Sequence, residues 1–149
     1  HINMEANEFF EIEMLGLMQN VSKIIMKIED EFLKKSDLTH FHARYIANLF
    51  RFKRLKMKDL NNLLCVDKAN TTRAVRDLMN KGIVEKVGEN ERKFDLQLSK
   101  KGEEIAKEFK RKIDCLLNES FKKFTQKEKQ TLFKLLNKLS ERIVDAGNI

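Results

Sequence analysis

Between Lys68 and Lys81 the chain sets Lys68, Ala69, Asn70, Thr72, Arg73 and Arg76 around one side of a helical period, with Thr71, Ala74, Val75 and Leu78 on the other. Small and polar groups followed by two arginines suit base edges and phosphate oxygens, because a guanidinium fork matches both. Lys86, Arg92 and Lys93 add further cations downstream, which suit phosphate contacts. Catalytic chemistry finds no comparable support. The sequence holds no Gly-rich phosphate loop, nucleophile elbow or paired-carboxylate arrangement, so neither an enzyme nor a cofactor is expected. His40 and His42 stand at i and i+2 of a helix, do not share a face, and cannot chelate a metal by themselves. No Cys/His/carboxylate cluster completes a zinc site. Cys65 and Cys115 lack metal-ligand spacing and are expected to be reduced, packed thiols. Of the two, Cys115 is the better candidate for redox sensing, because Arg111 and Lys112 lie near it.

The charge is unevenly placed. Residues 1–50 carry five Lys/Arg against eight Asp/Glu, a net −3; residues 51–101 carry 14 against seven, a net +7; residues 102–149 carry 11 against eight, a net +3. A basic excess over the middle third is what a polyanion-facing region requires, although on charge alone a solvated basic surface accounts for it equally well. No run of 18 apolar residues occurs, so no membrane span is expected. The natural start is expected at Met4, behind a His1-Ile2-Asn3 remnant, and no secretory segment follows it. With two unpaired cysteines this implies a cytoplasmic protein.

The elements that must position these groups are mostly helices, as zero prolines and five glycines suggest. From Glu5 to about Lys34, Phe9, Ile12, Leu15, Met18, Val21, Ile25, Ile28 and Phe32 recur every three or four residues, predicting a long amphipathic helix with part of its stripe on a second chain. Thr39 caps a helix to about Phe52 with Phe41, Tyr45, Ile46 and Leu49 inward. Two short helices follow, near Met57–Leu64 and Lys68–Lys81, the second capped by Asp67 and stopped at Gly82. Residues 83–87 and 93–98 read as the arms of a hairpin. Ser99 caps a helix to about Lys122, and Thr125-Gln126-Lys127-Glu128 is a capping box that opens a last helix. The expected fold is mainly α: a winged helix-turn-helix with a two-stranded β wing and long N- and C-terminal dimerisation helices. Its parts are an N-terminal dimerisation helix over 1–36, a DNA-binding lobe over 37–99, and C-terminal dimerisation helices over 100–149.

The motifs resemble those of the multiple-antibiotic-resistance regulator (MarR) family. Asp59-Leu60-Asn61-Asn62-Leu63-Leu64-Cys65-Val66-Asp67-Lys68 is similar to its E-L-A-x-x-L-x-V-D/S-K. Asn70-Thr71-Thr72-Arg73-Ala74-Val75-Arg76-Asp77-Leu78 is similar to T-V-T-R-x-V-D-x-L, Lys81 to Lys86 to K-G-L-V-E-R, and Leu98 to Gly102 to L-T-x-x-G. Departures are Asn61 for the small alanine between the short helices, Met57 for a Ser/Thr cap, Asn90 for the wing aspartate, and a wing two residues shorter.

The resemblance implies a homodimer built from the first helix and the last two, on a pseudo-palindromic operator, usually as a repressor. Lys68, Ala69, Asn70, Thr72, Arg73 and Arg76 then face the major groove and its phosphates, Arg92 the minor groove, and Lys86 and Lys93 phosphates. It also implies a small aromatic or phenolic effector held by His42, Arg44 and Tyr45, where Tyr45 reads equally well as core. Two rival functions stay open: a lobe that binds protein, and architectural DNA binding with no effector.

Overall fold

The computed structural model describes residues 7–147; Met4 and Glu5, the expected natural start and first helical residue, lie outside them. The elements are α1 (Phe10–Leu33), a 3₁₀ turn (Lys34–Ser36), α2 (His40–Phe52), α3 (Met57–Leu64), α4 (Lys68–Asn80), β1 (Val84–Gly88), β2 (Phe94–Leu98), α5 (Lys100–Ser120) and α6 (Gln126–Gly147). This is the mainly helical winged helix-turn-helix order read from the sequence. Internal contacts divide the chain into two units, one ending at Arg44 and the other beginning at Tyr45.

In the first unit α1 meets the start of α2 through one carboxylate. Asp30 accepts the His40 backbone N–H at 2.6 Å and lies 2.9 Å from His40 Nδ1. The backbone N–H and then the imidazole hold the Asp30 carboxyl below the usual range. Thr39 Oγ1 accepts the Phe41 N–H at 3.3 Å. Leu33, Leu38 and Ala43 are buried. Most of α1 is not: Ile12, Leu15, Leu17, Val21, Ile24 and Ile25 are exposed.

The second unit has its core where α3, α4, the wing and α5 meet, with Leu60, Leu78, Ile83 and Leu96 fully buried. The strands pair antiparallel with Val84 opposite Leu98, Lys86 opposite Leu96 and Gly88 opposite Phe94. Each arm begins one residue later than the sequence indicates. Ile83 is withdrawn from the ladder because its N–H bonds Leu78 O (2.9 Å) and its carbonyl receives the Ser99 N–H (2.9 Å). A third element joins the sheet unannounced, since Leu55 and Leu96 exchange both backbone hydrogen bonds, at 3.1 and 2.8 Å. Gly82 takes φ +72, the left-handed stop expected of it. Ser99 Oγ caps α5 through the Gly102 N–H (3.1 Å), and Thr125 and Glu128 close their box with two 3.0 Å bonds. The bond from the Thr125 N–H also lowers the Glu128 carboxyl from its usual range.

α3 starts firmly despite lacking a Ser/Thr cap, because the Asp59 carboxylate accepts the Lys56 N–H at 3.2 Å. Inside the same helix, the buried Asn61 Oδ1 has no hydrogen-bond partner. An unmet buried acceptor costs about 1–3 kcal/mol, and asparagine is also a poorer helix former than alanine. Asn61→Ala is therefore expected to stabilise the protein by about 1 kcal/mol, read as a higher midpoint in urea unfolding. A lower midpoint would show that the amide contributes packing that outweighs both terms.

Candidate nucleic-acid interface

Recognition chemistry on α4 begins with its cap. Asp67 is extended, and its carboxylate accepts the Asn70 N–H at 2.7 Å. Thr71, Ala74, Val75 and Leu78 are buried on the inner side, and Thr71 Oγ1 lies 3.4 Å from the Tyr45 hydroxyl. With that face fixed, the 3.6-residue period turns Lys68, Ala69, Arg73 and Arg76 outward, with Asn70 and Thr72 half-buried at the margin. Thr72 Oγ1 donates to Lys68 O (2.9 Å) and Arg73 Nη2 donates to Asn70 Oδ1 (2.7 Å).

The wing is ordered from within. Asn90 Oδ1 accepts the N–H groups of Arg92 (2.8 Å) and Lys93 (3.0 Å), so the amide that stands in the family aspartate's place still closes the turn. Both cations are exposed there. Lys86 is tied more closely. Its ammonium donates to Glu91 at 2.9 Å and sits 4.6 Å from the Phe94 ring centroid. That hydrogen bond, and then the nearby charge, holds the Glu91 carboxyl below its usual range.

Two hollows sort the candidate residues. Thr72 and Arg76 of α4 line a cleft of about 260 Å³ together with Lys86 and Phe94 of the wing, floored by Met57, Val75 and Met79. Arg92 and Lys93 instead line a wider groove of about 590 Å³ with Lys56 and Lys58. Lys68, Ala69, Asn70 and Arg73 line neither of these two hollows. The sequence reading missed Lys56 and Lys58, and also the acidic Glu91 and Asp95, which pair with Lys86 and Lys56 at 2.9 and 3.2 Å. The +7 balance of residues 51–101 was the available signal, but a residue just ahead of an eight-residue helix gives no period that would aim it.

The effector candidates are placed differently. His42 is buried with Nδ1 accepting the Thr39 N–H at 3.1 Å, Tyr45 is buried beside Thr71, and Arg44 is exposed. Cys65 and Cys115 are both exposed free thiols, which corrects the expectation that they are packed. Cys65 ends α3 in the left-handed conformation (φ 53), with its thiol 3.7 Å from the Asn62 carbonyl oxygen. Among the described residues no three His, Cys, Asp or Glu side chains are grouped to hold a metal, and no helix is long and apolar enough to cross a membrane.

Residues 38–91 match the MarR family model. The chain is 28% identical over 128 residues to the HTH-type transcriptional regulator BilQ of Clostridioides difficile (strain CD3), covering 80% of this chain and 86% of that one. Its fold matches a MarR family transcriptional regulator from Listeria monocytogenes complexed with 26mer DNA, with a TM-score of 0.81 at 21% identity over 89% of each chain. It also matches a mutant of MarR from E. coli complexed with operator DNA, with a TM-score of 0.71 at 26% identity, covering 90% of this chain and 99% of that chain.

Proposed function

We propose that the chain, whose residues 38–91 match the MarR family model, is a cytoplasmic, homodimeric transcriptional repressor of that family, not an enzyme, that binds a pseudo-palindromic operator. The observation that carries the DNA-binding reading is α4. Its apolar side is buried, and its outer side presents Lys68, Arg73 and Arg76 beside a wing bearing Arg92 and Lys93. A helix of this width fits the major groove of B-DNA, and a wing cation suits the enhanced negative potential of a narrow minor groove. Thr72 and Arg73 are assigned to base edges, Ala69 to apolar contact, Lys68, Arg76, Lys86 and Lys93 to phosphates, Arg92 to the minor groove, and Asn70 to the support of Arg73. Lys86 can serve a phosphate only by exchanging its bond to Glu91, and a solvent-exposed pair of this kind exchanges readily.

Repression and its relief by a small aromatic or phenolic effector at His42, Arg44 and Tyr45 follow from the family resemblance. An effector acts by favouring a dimer whose recognition helices are wrongly spaced, and only by as much as it prefers that state. The direct test is on DNA. Arg73→Ala and Arg92→Ala are each expected to weaken operator binding by about 1–3 kcal/mol, or roughly 5- to 150-fold, with the sedimentation behaviour of the dimer unchanged. Gel shifts showing wild-type affinity for both variants would refute the assignments. A flat salt dependence of DNA binding would favour a protein-binding lobe instead.

A further inference from the structure

We infer that Asn70 sets the plane of the Arg73 guanidinium and thereby the base that Arg73 reads; the inference rests on α4 being the recognition element. Arg73 stands one turn after Asn70 on the outer side of the helix, and its Nη2 donates to Asn70 Oδ1 at 2.7 Å. Default electrostatics do not produce this arrangement. The contact sets a cation near the N-terminal end of α4, where the helix dipole is positive, and the Asn70 amide oxygen gives it an acceptor there. Asn70 is itself anchored, since its N–H is bound by the Asp67 cap at 2.7 Å. The Asn70 backbone is therefore fixed, and its side chain is half-buried at the margin of α4.

A guanidinium is planar, and bidentate contact with guanine O6 and N7 requires its plane to coincide with that of the base. An arginine on an exposed helix samples many planes. One with a terminal nitrogen bonded to a neighbouring amide samples fewer, so less freedom is lost on binding. The same bond assigns the amide of Asn70: its oxygen is turned to Arg73, which leaves it poorly placed to accept from adenine N6 as a base-reading asparagine must. Asn70 is thus a positioning residue, and its effect appears as base selectivity at the position Arg73 contacts.

The test is selection from a random-sequence duplex library with wild type, Arg73→Ala, Asn70→Ala and Asn70→Asp. It is followed by anisotropy titrations on the selected duplex, its single-base variants and a mixed-sequence duplex. Arg73→Ala should abolish the preference at one position per half-site, a discrimination of roughly 5- to 150-fold. Asn70→Ala should lose most of the preference at that same position while binding the mixed-sequence duplex within about two-fold of wild type, as a change that adds or removes no charge should. Asn70→Asp keeps the acceptor and should keep the preference, but bind every duplex more weakly because it adds a negative charge beside phosphates. An Asn70→Ala variant with the wild-type preference at the Arg73 position overturns the inference. So does loss of preference in both Asn70 variants at a position that Arg73→Ala retains, since Asn70 would then read a base itself. If Arg73→Ala keeps every preference, the assignment of α4 to base reading fails with it.

Discussion

Alanine at Gly102 is expected to lower stability by about 3 kcal/mol and the melting temperature by roughly 6–12 °C. A Cβ there would lie 2.2 Å from the carbonyl oxygen of Ile83 and 3.2 Å from its carbonyl carbon. That carbonyl cannot move aside easily, because it receives the Ser99 N–H at 2.9 Å, while the Ser99 hydroxyl donates to the adjoining Gly82 carbonyl at 2.6 Å. The first turn of α5 is thus bolted to the root of the wing, and a methyl group would force the two apart. Gly82→Ala is the contrasting case. Gly82 has φ +72 but open space around it, so only the left-handed conformation is penalised, by about 1–2 kcal/mol. Thermal and urea melts that rank Gly82→Ala as the more damaging change would show that the close approach at Gly102 is relieved cheaply.

That glycine also shows what a sequence can and cannot convey. Its place in the run from Leu98 to Gly102 was visible, but nothing in the letters said that a backbone carbonyl from residue 83 presses on it. Features set by local chemistry read through cleanly. The inner face of α4 at Thr71, Ala74, Val75 and Leu78 follows from the helical period, the caps at Asp67 and Ser99 from short acceptors ahead of apolar runs, and the Thr125–Glu128 box from its spacing. Pairings across long separation did not. Leu55 joins the sheet opposite Leu96 as an isolated bridge, too short to show any alternation. Helix ends set by tertiary context also escaped: α5 stops at Ser120 with Phe121 and Phe124 packed edge to face 5.0 Å apart, two residues before the expected end.

At the candidate site the same division holds. Charge and period marked which cations face outward on α4. They did not reveal the internal partners, Asn70 for Arg73, Glu91 for Lys86 and Asn90 for the wing backbone. Such partners lie within a few residues, but only rotamers distinguish them from other neighbours. Cysteine exposure failed for a different reason. Burial is the usual fate of a thiol, yet Cys65 sits in a left-handed C-cap, a conformation that no glycine or asparagine at that position announces.

The greatest functional loss is expected from a charge placed on the exposed apolar sides of α1 or α6. Leu17 is 64% exposed and Phe133 71%, and neither is isolated. On α1, Ile12, Leu15, Val21, Ile24 and Ile25 are also exposed, and on α6 so are Leu132, Leu135, Leu136, Ile143 and Val144. Single exposed apolar residues are ordinary, but rows of them along two helices of more than 20 residues are not. Met14, Leu17, Ile24 and Met26, which are outside the set that periodicity marks on α1, are exposed as well. Rows of this kind call for cover, and the cover expected is a second copy of the chain. Glutamate at Leu17 or Phe133 would then bury a charge with no partner, a cost of several kcal/mol. Each variant should sediment as a particle of half the wild-type mass at micromolar concentration. Operator affinity should fall by about 10²–10⁴, the advantage that linking two half-site contacts confers. Arg73→Ala separates the two causes, since it should weaken DNA binding while the dimer stays intact. A Leu17→Glu, Phe133→Glu double variant that remains dimeric and binds the operator normally would mean that these faces pair with something other than a second copy.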